Sequence, residues 1–157
     1  KDVLVSVQCI DFDGSVKMIN KNDIKFKYRG SDLSKDLIFL SATFEGKKTE
    51  QNKILQTMEQ MKNSKEKAQP TKIKTGGSTF KNPINQTKEK VWELIKKSVP
   101  LDTKFGDAEI SKKHCNFFVN NGKAKSSDIE RLINKVQKAV SIKTGVNLEL
   151  EIKIIGD

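Results

Sequence analysis

A segment near the carboxyl end constrains the fold more than any other part of this chain. Its apolar residues recur at the spacing that places them on one face of an α-helix: Ile129, Leu132, Ile133, Val136 and Val140. Ser127 followed by Glu130 matches a capping box, in which two side chains satisfy backbone N–H groups at the start of a helix. The pattern predicts an amphipathic helix that begins near Ser127 and ends before Gly145.

The residues after this helix alternate in polarity. Apolar side chains occupy one set of positions: Val146, Leu148, Leu150, Ile152 and Ile154. Charged side chains occupy most of the other set: Glu149, Glu151 and Lys153. Because successive side chains of a strand point to opposite faces, residues 146–155 are predicted to form a strand with one charged face.

The beginning of the chain is typical of a sheet. Residues 3–11 and 15–19 read as strands, and Asp13-Gly14 between them is a hairpin signal. Residues 37–44 are a continuous apolar run, which favours a buried strand.

A helix and a linker are predicted next. Residues 49–67 carry four apolar side chains at helical spacing: Ile54, Leu55, Met58 and Met61. The methionines are interpreted as core packing, and Pro70 ends the pattern. The lysine-rich residues 64–74 are interpreted as a linker, so a domain boundary is expected near residues 65–70.

A second unit is predicted beyond the linker. A helix over residues 87–97 would turn four side chains inward: Val91, Trp92, Leu94 and Ile95. After an irregular stretch, residues 115–120 are predicted to form a short strand that stops at Asn121-Gly122. The fold class that follows is α+β.

The charge of the chain bears on what it binds. Its 157 residues carry a formal net charge of +10. A small basic α+β module that binds RNA or another polyanion is therefore one hypothesis. However, only Arg29 and Arg131 among 30 basic residues are arginine, and no basic cluster is interleaved with aromatic residues that could stack on bases. A small ligand that bears phosphate would suit the charge equally well.

Several functional classes find no support in the sequence. No run of about 18 apolar residues could span a membrane. Cys9 and Cys115 lie among apolar neighbours without the spacing of metal ligands, which favours reduced thiols in a cytoplasmic protein. His114 is the single histidine and has no obvious acidic partner near it, which disfavours a Ser-His-Asp hydrolase.

Residues 75–83 read TGGSTFKNP and join two helical stretches. Gly76-Gly77 lacks the patterns of a P-loop and of a dinucleotide fold, so neither kind of nucleotide site is supported. The two glycines permit a tight turn or a close approach of the backbone to a ligand, and the local chemistry favours the turn. Arg29 is one of only two arginines in a lysine-rich chain. Its planar guanidinium could bind both oxygens of a carboxylate, which a lysine could not do.

Four motifs together resemble one enzyme family. They are YRGS around Arg29, GGSTFKNP from Gly76, ISKKHCNFFVN from Ile110 and LELEIKIIG from Leu148. Their order and separations are similar to those of UDP-N-acetylenolpyruvoylglucosamine reductase, the flavoenzyme that completes UDP-N-acetylmuramate in peptidoglycan synthesis. The resemblance covers nearly the whole chain and about the second half of the family's length.

The resemblance implies an architecture and two cofactors. Residues 1–66 would be the C-terminal part of an α+β FAD-binding domain, and residues 67–157 a smaller α+β substrate-binding domain. NADPH would reduce FAD, and a hydride would then pass to the enolpyruvyl double bond of a UDP-sugar substrate. The family's N-terminal, Gly-rich part of the FAD-binding domain has no counterpart here, so the chain alone is expected to hold flavin weakly and to be inactive. No nucleic-acid or membrane partner and no metal are implied.

The resemblance also implies three catalytic residues. Arg29 would clamp the substrate carboxylate and stabilise the negative charge that develops there. Glu151 would help to polarise or protonate the same carboxylate, and Ser78 would deliver a proton to the adjacent carbon.

Five further positions are implied to contact ligands. Lys81, Asn82 and Tyr28 would bind the UDP-sugar, with lysine facing phosphate and asparagine offering both a donor and an acceptor. Gly76 and Gly77 would fix the backbone before Ser78 and lie against the cofactor. His114 and Cys115 are expected to support the strand that follows them rather than to do chemistry.

Overall fold

The computed structural model describes residues 1–156 of the chain. It contains helices and antiparallel sheets, so the α+β class is confirmed. Two compact units are present, Lys1–Ile54 and Leu55–Asp157, of which the second is described to residue 156, and each is treated by itself. The expected functional division between residues 66 and 67 stays a prediction. No helix within residues 1–156 is long and apolar enough to cross a membrane.

Five strands make up most of the first unit: β1 (Leu4–Ile10), β2 (Val16–Asn20), β3 (Phe26–Lys27), β4 (Gly30–Ser31) and β5 (Ile38–Phe44). Strand β1 lies between β2 and β5 in an antiparallel sheet. Strands β3 and β4 pair with each other as a separate short hairpin. A single turn of 3-10 helix, Lys21–Asp23, follows β2.

The predicted hairpin between β1 and β2 is confirmed. Gly14 adopts the positive φ of 82° that its turn requires. The Asp11 carboxylate accepts the Ser15 N–H at 2.9 Å and the Lys17 ammonium at 2.7 Å. The hydrogen bond from Lys17 is the main reason that the pKa of Asp11 lies below its usual value. Lys17 is exposed and Asp11 is half-buried at the surface, so this ion pair contributes little to the stability of the fold.

Strand β5 forms where a strand was predicted, but the prediction that it is buried was wrong. All seven of its residues are exposed, including Phe44 at 64%. Strand β5 is an edge strand that pairs with β1, and the small core of this unit gathers instead on Val7, Cys9 and Ile24. An apolar run indicates a strand suited to burial, but it does not say what covers the strand.

The other elements are, in chain order, α1 (Gln51–Ala68), β6 (Lys74–Ser78), α2 (Val91–Ser98), β7 (Lys104–Phe105), β8 (Ala108–Ile110), β9 (Phe117–Asn120) and α3 (Ser126–Thr144). Strands β6 to β9 form one antiparallel sheet in the order β6-β9-β8-β7. Helix α3 packs against α2, β7 and β8, and fully buried Leu94, Ile110 and Leu132 lie in the core of this unit. Strands β7 and β8 fall in the stretch predicted as irregular, since two or three residues are too few to show periodicity.

Helix α3 confirms the amphipathic helix predicted near the carboxyl end. Four of the five residues predicted for its apolar face are buried: Leu132, Ile133, Val136 and Val140. Gly145 ends the helix with a left-handed φ of 73°. The predicted capping box was wrong, because Asp128 rather than Glu130 accepts a backbone N–H at the start, from Lys125 at 3.0 Å. The helix begins at Ser126, and this start puts Asp128 at the third helical position.

The strand predicted over residues 146–155 does not form as a regular element. Leu150 makes a single antiparallel bridge with Phe80, the one isolated bridge within residues 1–156. The predicted alternation is visible only at the start of this segment, where Val146 and Leu148 are buried and Glu149 is exposed. Farther along, Ile154 is 52% exposed although it was predicted on the apolar face. Pairing with a neighbouring segment is too short for a strand.

Helices α1 and α2 confirm two predicted helices but correct the roles of their side chains. No residue of α1 is buried, and Met58 and Met61 are 61% and 68% exposed rather than part of a core. Helix α1 also continues to Ala68, so the linker is shorter than the predicted residues 64–74. In α2, Trp92 is 42% exposed, whereas the other three residues predicted to point inward are buried.

The packing of α3 is open to a direct test. Leu132→Ala is expected to lower the free energy of unfolding by about 2–5 kcal/mol, because removing a fully buried side chain leaves a cavity. Denaturant unfolding followed by circular dichroism measures the loss. The matched control is Ile142→Ala on the same helix, where the side chain is 77% exposed and a change within about 0.5 kcal/mol is expected. Similar losses in the two variants would contradict this packing.

Candidate functional site

The Gly-Gly-Ser segment forms the end of strand β6 and is held against β9. Thr75 Oγ1 donates to the Phe118 carbonyl at 2.7 Å and accepts the Gly77 N–H at 3.2 Å. The β6–β9 register shifts between Thr75 and Ser78, and Gly77 adopts a φ of 88° within this irregularity. A residue with a Cβ is strained at that φ, so Gly77 is what allows the strand to change register before Ser78.

The residues after Ser78 are bonded on both of their edges. Thr79 donates its N–H to the Asn116 carbonyl at 2.7 Å on one side. On the other side, the Glu151 N–H donates to the Thr79 carbonyl and the Lys81 N–H donates to the Glu149 carbonyl, both at 2.9 Å. The Glu151 backbone therefore lies directly beside the residue that follows Ser78. Ser78 and Glu151, expected from separate motifs, belong to adjacent segments of one unit.

Asn116 is a residue of this site that the sequence did not single out. Its side chain is bonded to both backbone groups of Phe80, and it is 3% exposed. The signal that could have found it is a lone amide in an otherwise apolar stretch, where buried polar groups need partners. The identity of that partner could come only from the fold.

Lys81 and Asn82 occupy different surroundings although they are neighbours. The Lys81 ammonium lies 3.4 Å from the Glu149 carboxylate, and both side chains are partly exposed. Asn82 Oδ1 accepts the Val91 N–H at 3.0 Å and so satisfies a donor at the start of α2. Asn82 therefore has a structural role in addition to the substrate contact expected of it.

Arg29 and Tyr28 form the turn between β3 and β4 in the first unit. Arg29 has a φ of 58°, in the left-handed region that residues other than glycine, asparagine and aspartate rarely adopt. Its guanidinium carbon lies 5.6 Å from the centre of the Tyr28 ring. Backbone strain of this kind is often found where a side chain must be presented in one direction.

His114 and Cys115 each take part in a hydrogen bond with a backbone group. His114 Nδ1 accepts the Asn116 N–H at 3.3 Å, and burial lowers the pKa of the imidazole. The Cys115 thiol donates to the Trp92 carbonyl at 3.1 Å, and burial raises its pKa. Burial therefore favours the neutral imidazole and the protonated thiol, and a protonated thiol is a poor nucleophile.

Metal chemistry has no candidate centre within residues 1–156, where no cluster of three or more His, Cys, Asp or Glu side chains could hold an ion.

A cavity of about 370 Å³ lies beside His114 and Cys115. Its walls include Trp92, Lys96 and Lys112, so it combines an aromatic face with positive charge.

Comparison with known proteins identifies the family of this chain. The family described as UDP-N-acetylenolpyruvoylglucosamine reductase, C-terminal domain, matches residues 69–155, more than half of the chain. The chain belongs to this family. The resemblance carried by the four sequence motifs is thereby confirmed. The matched range contains the Ser78 and Glu151 segments that the structure places side by side.

Curated relatives extend the similarity to the rest of the chain. The UDP-N-acetylenolpyruvoylglucosamine reductase of Pelagibacter ubique (strain HTCC1062) is 57% identical over 155 residues, which are 99% of this chain and 51% of that protein. The reductase of Rickettsia prowazekii (strain Madrid E) is 44% identical over 156 residues, 99% of this chain and 52% of that protein. This chain thus spans about half the length of the curated relatives it matches.

A solved structure shows the same fold. The crystal structure of UDP-N-acetylenolpyruvylglucosamine reductase from Thermus caldophilus superposes with a TM-score of 0.79 at 30% sequence identity. The superposition covers 97% of this chain and 53% of that chain. The architecture described above is therefore that of the corresponding half of the reductase fold.

Proposed function

We propose that this chain is part of an NADPH-dependent flavoenzyme that reduces UDP-N-acetylenolpyruvoylglucosamine to UDP-N-acetylmuramate for peptidoglycan synthesis. The observation that carries the proposal is the hydrogen bond from the Glu151 N–H to the Thr79 carbonyl, at 2.9 Å. This bond places the segment of Ser78, the proposed proton donor, beside the segment of Glu151, the proposed partner of the substrate carboxylate. Membership of the reductase family supports the same conclusion.

The backbone before Ser78 fits a flat cofactor. A Cβ at Gly77 would meet no atom within 4 Å, and one at Gly76 would meet Ile152 Cγ2 at 3.4 Å. Gly77 therefore presents open backbone and Gly76 lies against the Ile152 side chain, and we assign both glycines to contact with FAD. When bound, FAD reduced by NADPH would supply the hydride that adds to the enolpyruvyl double bond.

Ser78 is the proposed proton donor. As the double bond is reduced, its electron pair moves to the carbon next to the substrate carboxylate, and the Ser78 hydroxyl would give that carbon a proton. The serine oxygen would then recover a proton from water. A hydroxyl is a weak acid, so this step depends on a strongly basic acceptor and on accurate placement, which the bonds of Thr75 and Thr79 would provide.

Arg29 and Glu151 are the proposed partners of the substrate carboxylate. The Arg29 guanidinium would hold both carboxylate oxygens and stabilise the charge that accumulates during reduction. The Glu151 side chain would polarise or protonate the same group. The left-handed φ of Arg29 supports a functional role, because strained backbone conformations are concentrated at functional sites.

Binding of the UDP-sugar is assigned to Tyr28, Lys81 and Asn82. Lys81 would meet the diphosphate as a point charge, and its exposed contact with Glu149 at 3.4 Å is weak enough to exchange for it. Asn82 would offer its amide to the substrate while its Oδ1 continues to hold the start of α2. Tyr28 would contribute its ring and hydroxyl, and its side chain is 44% exposed.

The domain assignment follows from the same proposal. Residues 1–66 would complete the FAD-binding domain, and residues 67–157 would form the substrate-binding domain, in keeping with the family match over residues 69–155. We also propose a cytoplasmic location, where NADPH is available and where the free thiols of Cys9 and Cys115 stay reduced.

The test of this function uses the longest natural protein that carries this sequence. We expect it to purify with bound FAD, visible as a yellow colour, and to oxidise NADPH rapidly only when the enolpyruvyl UDP-sugar is present. A flavin spectrum and an NADPH absorbance assay measure the two properties. A colourless protein that is retained on RNA at moderate salt would instead support the polyanion-binding hypothesis.

A further inference from the structure

Asn116 is a buried amide whose two polar groups both engage Phe80. Its Oδ1 accepts the Phe80 N–H at 3.0 Å, and its Nδ2 donates to the Phe80 carbonyl at 2.9 Å. The Asn116 side chain is 3% exposed and Phe80 is 1% exposed, so water is not available to replace either bond. Leaving a buried backbone donor or acceptor without a partner is costly, and one side chain here satisfies both.

This amide extends the β6–β9 pairing beyond the point where the strands end. The last backbone pair joins Ser78 to Phe117, and β9 begins at Phe117. Just before it, the chain turns, as shown by the bond from the Phe117 N–H to the His114 carbonyl at 2.9 Å. The Asn116 carbonyl and side chain therefore provide the bonds to residues 79 and 80 that a continuing strand would have provided.

The opposite edge of residues 79–81 holds the segment that carries Glu151. The Glu151 N–H donates to the Thr79 carbonyl, and Phe80 is bridged to Leu150. One short extended segment thus has Asn116 on one edge and Glu151 on the other, and Ser78 precedes it directly. Any slip of Phe80 relative to Asn116 would shift Ser78 relative to the Glu151 segment.

We propose that Asn116 is a positioning residue for reduction of the UDP-sugar, and this inference rests on the proposed function. Its amide fixes the register of residues 78–80 and thereby sets the Ser78 hydroxyl relative to the Glu151 carboxylate. Asn116 does not touch the reacting atoms. Proton delivery from a hydroxyl as weakly acidic as that of serine tolerates little misplacement, since an error of about 1 Å can cost about 10²-fold in rate.

The first test is Asn116→Ala in the longest natural protein that carries this sequence, with bound FAD. We expect turnover of the UDP-sugar to fall by about 10²-fold through kcat, while reduction of the flavin by NADPH stays within about twofold of wild type. The solvent deuterium isotope effect on kcat should rise, because proton delivery becomes rate-limiting. Stopped-flow measurement of the two half-reactions separates these effects.

Asn120→Ala is the matched control. Asn120 lies at the end of β9, and its side chain also bonds to backbone, accepting the Gly122 and Ala124 N–H groups at 2.8 and 3.1 Å and donating to the Ala124 carbonyl at 3.1 Å. None of these bonds reaches residues 78–80. The control should lose thermal stability as Asn116→Ala does, but keep its kcat and isotope effect.

Asn116→Asp keeps the experiment informative if the alanine variant fails to fold. A protonated aspartic acid can donate to the Phe80 carbonyl and accept its N–H, whereas the carboxylate can only accept. Burial beside a carbonyl raises the pKa of such a carboxyl above its ordinary value. The ratio of variant to wild-type kcat should therefore be highest at low pH and fall as pH rises through that raised pKa.

The outcomes separate this inference from the function on which it rests. If Ser78→Ala slows the UDP-sugar half-reaction but Asn116→Ala behaves like Asn120→Ala, positioning by Asn116 is refuted and the function stands. A kcat ratio for Asn116→Asp that is flat with pH refutes it too. If Ser78→Ala itself leaves turnover unchanged, the proton-donor role fails first.

Discussion

Replacing Ser78 by alanine is expected to slow turnover of the enolpyruvyl UDP-sugar by about 10²–10⁴-fold, the usual contribution of a positioned general acid. Reduction of bound flavin by NADPH should proceed nearly as in the wild type, because that step needs no proton from Ser78. Rapid-mixing measurements that follow flavin bleaching and its reoxidation by the UDP-sugar report the two steps separately.

The structural reason for so large an effect is that alanine removes the one hydroxyl that the fold holds at this position. Ser78 is half-buried at the end of β6, and the strand bonds around it fix its backbone on both sides. The fold itself should tolerate the change, since alanine occupies less volume and the serine side chain is not part of the core cluster. Loss of turnover would therefore report chemistry rather than unfolding.

Ser98→Ala is the matched control for this substitution. The Ser98 hydroxyl is buried without a hydrogen-bond partner among the described residues, so its removal should leave turnover unchanged and stability equal or slightly higher. Full turnover in Ser78→Ala would remove Ser78 from the mechanism. Equal loss in Ser78→Ala and Ser98→Ala would point to a general disturbance of the unit instead.

The elements predicted best from the sequence are those whose determinants are local. Helix α3 carries its apolar face, its acidic first turn and its terminal glycine within its own residues. The β1–β2 hairpin likewise has its turn signal, Asp13-Gly14, between two alternating runs. In α3 the capping residue was nevertheless predicted wrongly. Asp128 and Glu130 both lie close to the start of the helix, and only the backbone geometry decides between them.

Burial was predicted less well, because it depends on what lies opposite. The apolar residues of β5 and the methionines of α1 have the pattern of a core, yet they are exposed among the described residues. The prediction that Trp92 points inward was wrong for a related reason. Its position on α2 lies at the edge of the buried face rather than on it. Periodicity identifies which face of an element is apolar and leaves its covering unspecified.

The candidate site shows the same division. Ser78, Arg29 and Glu151 were named from motifs that each lie within a few consecutive residues. The bonds that join the Ser78 segment to the Glu151 segment, and Asn116 to Phe80, link residues far apart in the chain. Those contacts are products of the fold, and a single sequence holds no local signal for the partner of a buried amide.

Arg29 is the second position at which a large effect is expected, and its backbone makes the test unusually clear. A φ of 58° is favourable for glycine and costs other residues roughly 1–2 kcal/mol. Arg29→Gly should therefore leave the stability of the protein unchanged or raise it slightly, unlike most substitutions. Its turnover of the UDP-sugar should nevertheless fall by about 10²–10³-fold, because the donor that stabilises the developing carboxylate charge is gone.

Two further variants divide the roles of charge, geometry and backbone. Arg29→Lys keeps the positive charge but loses the planar fork, so its turnover should lie between those of Arg29→Gly and the wild type. Lys72→Gly is the backbone control, because Lys72 is the other non-glycine residue with a positive φ among residues 1–156, at 64°, and turnover should not change. Thermal unfolding and steady-state kinetics on the flavin-loaded protein measure both properties. If Arg29→Gly kept full turnover, the arginine would be a strained turn residue without a catalytic role, and the carboxylate would need another partner.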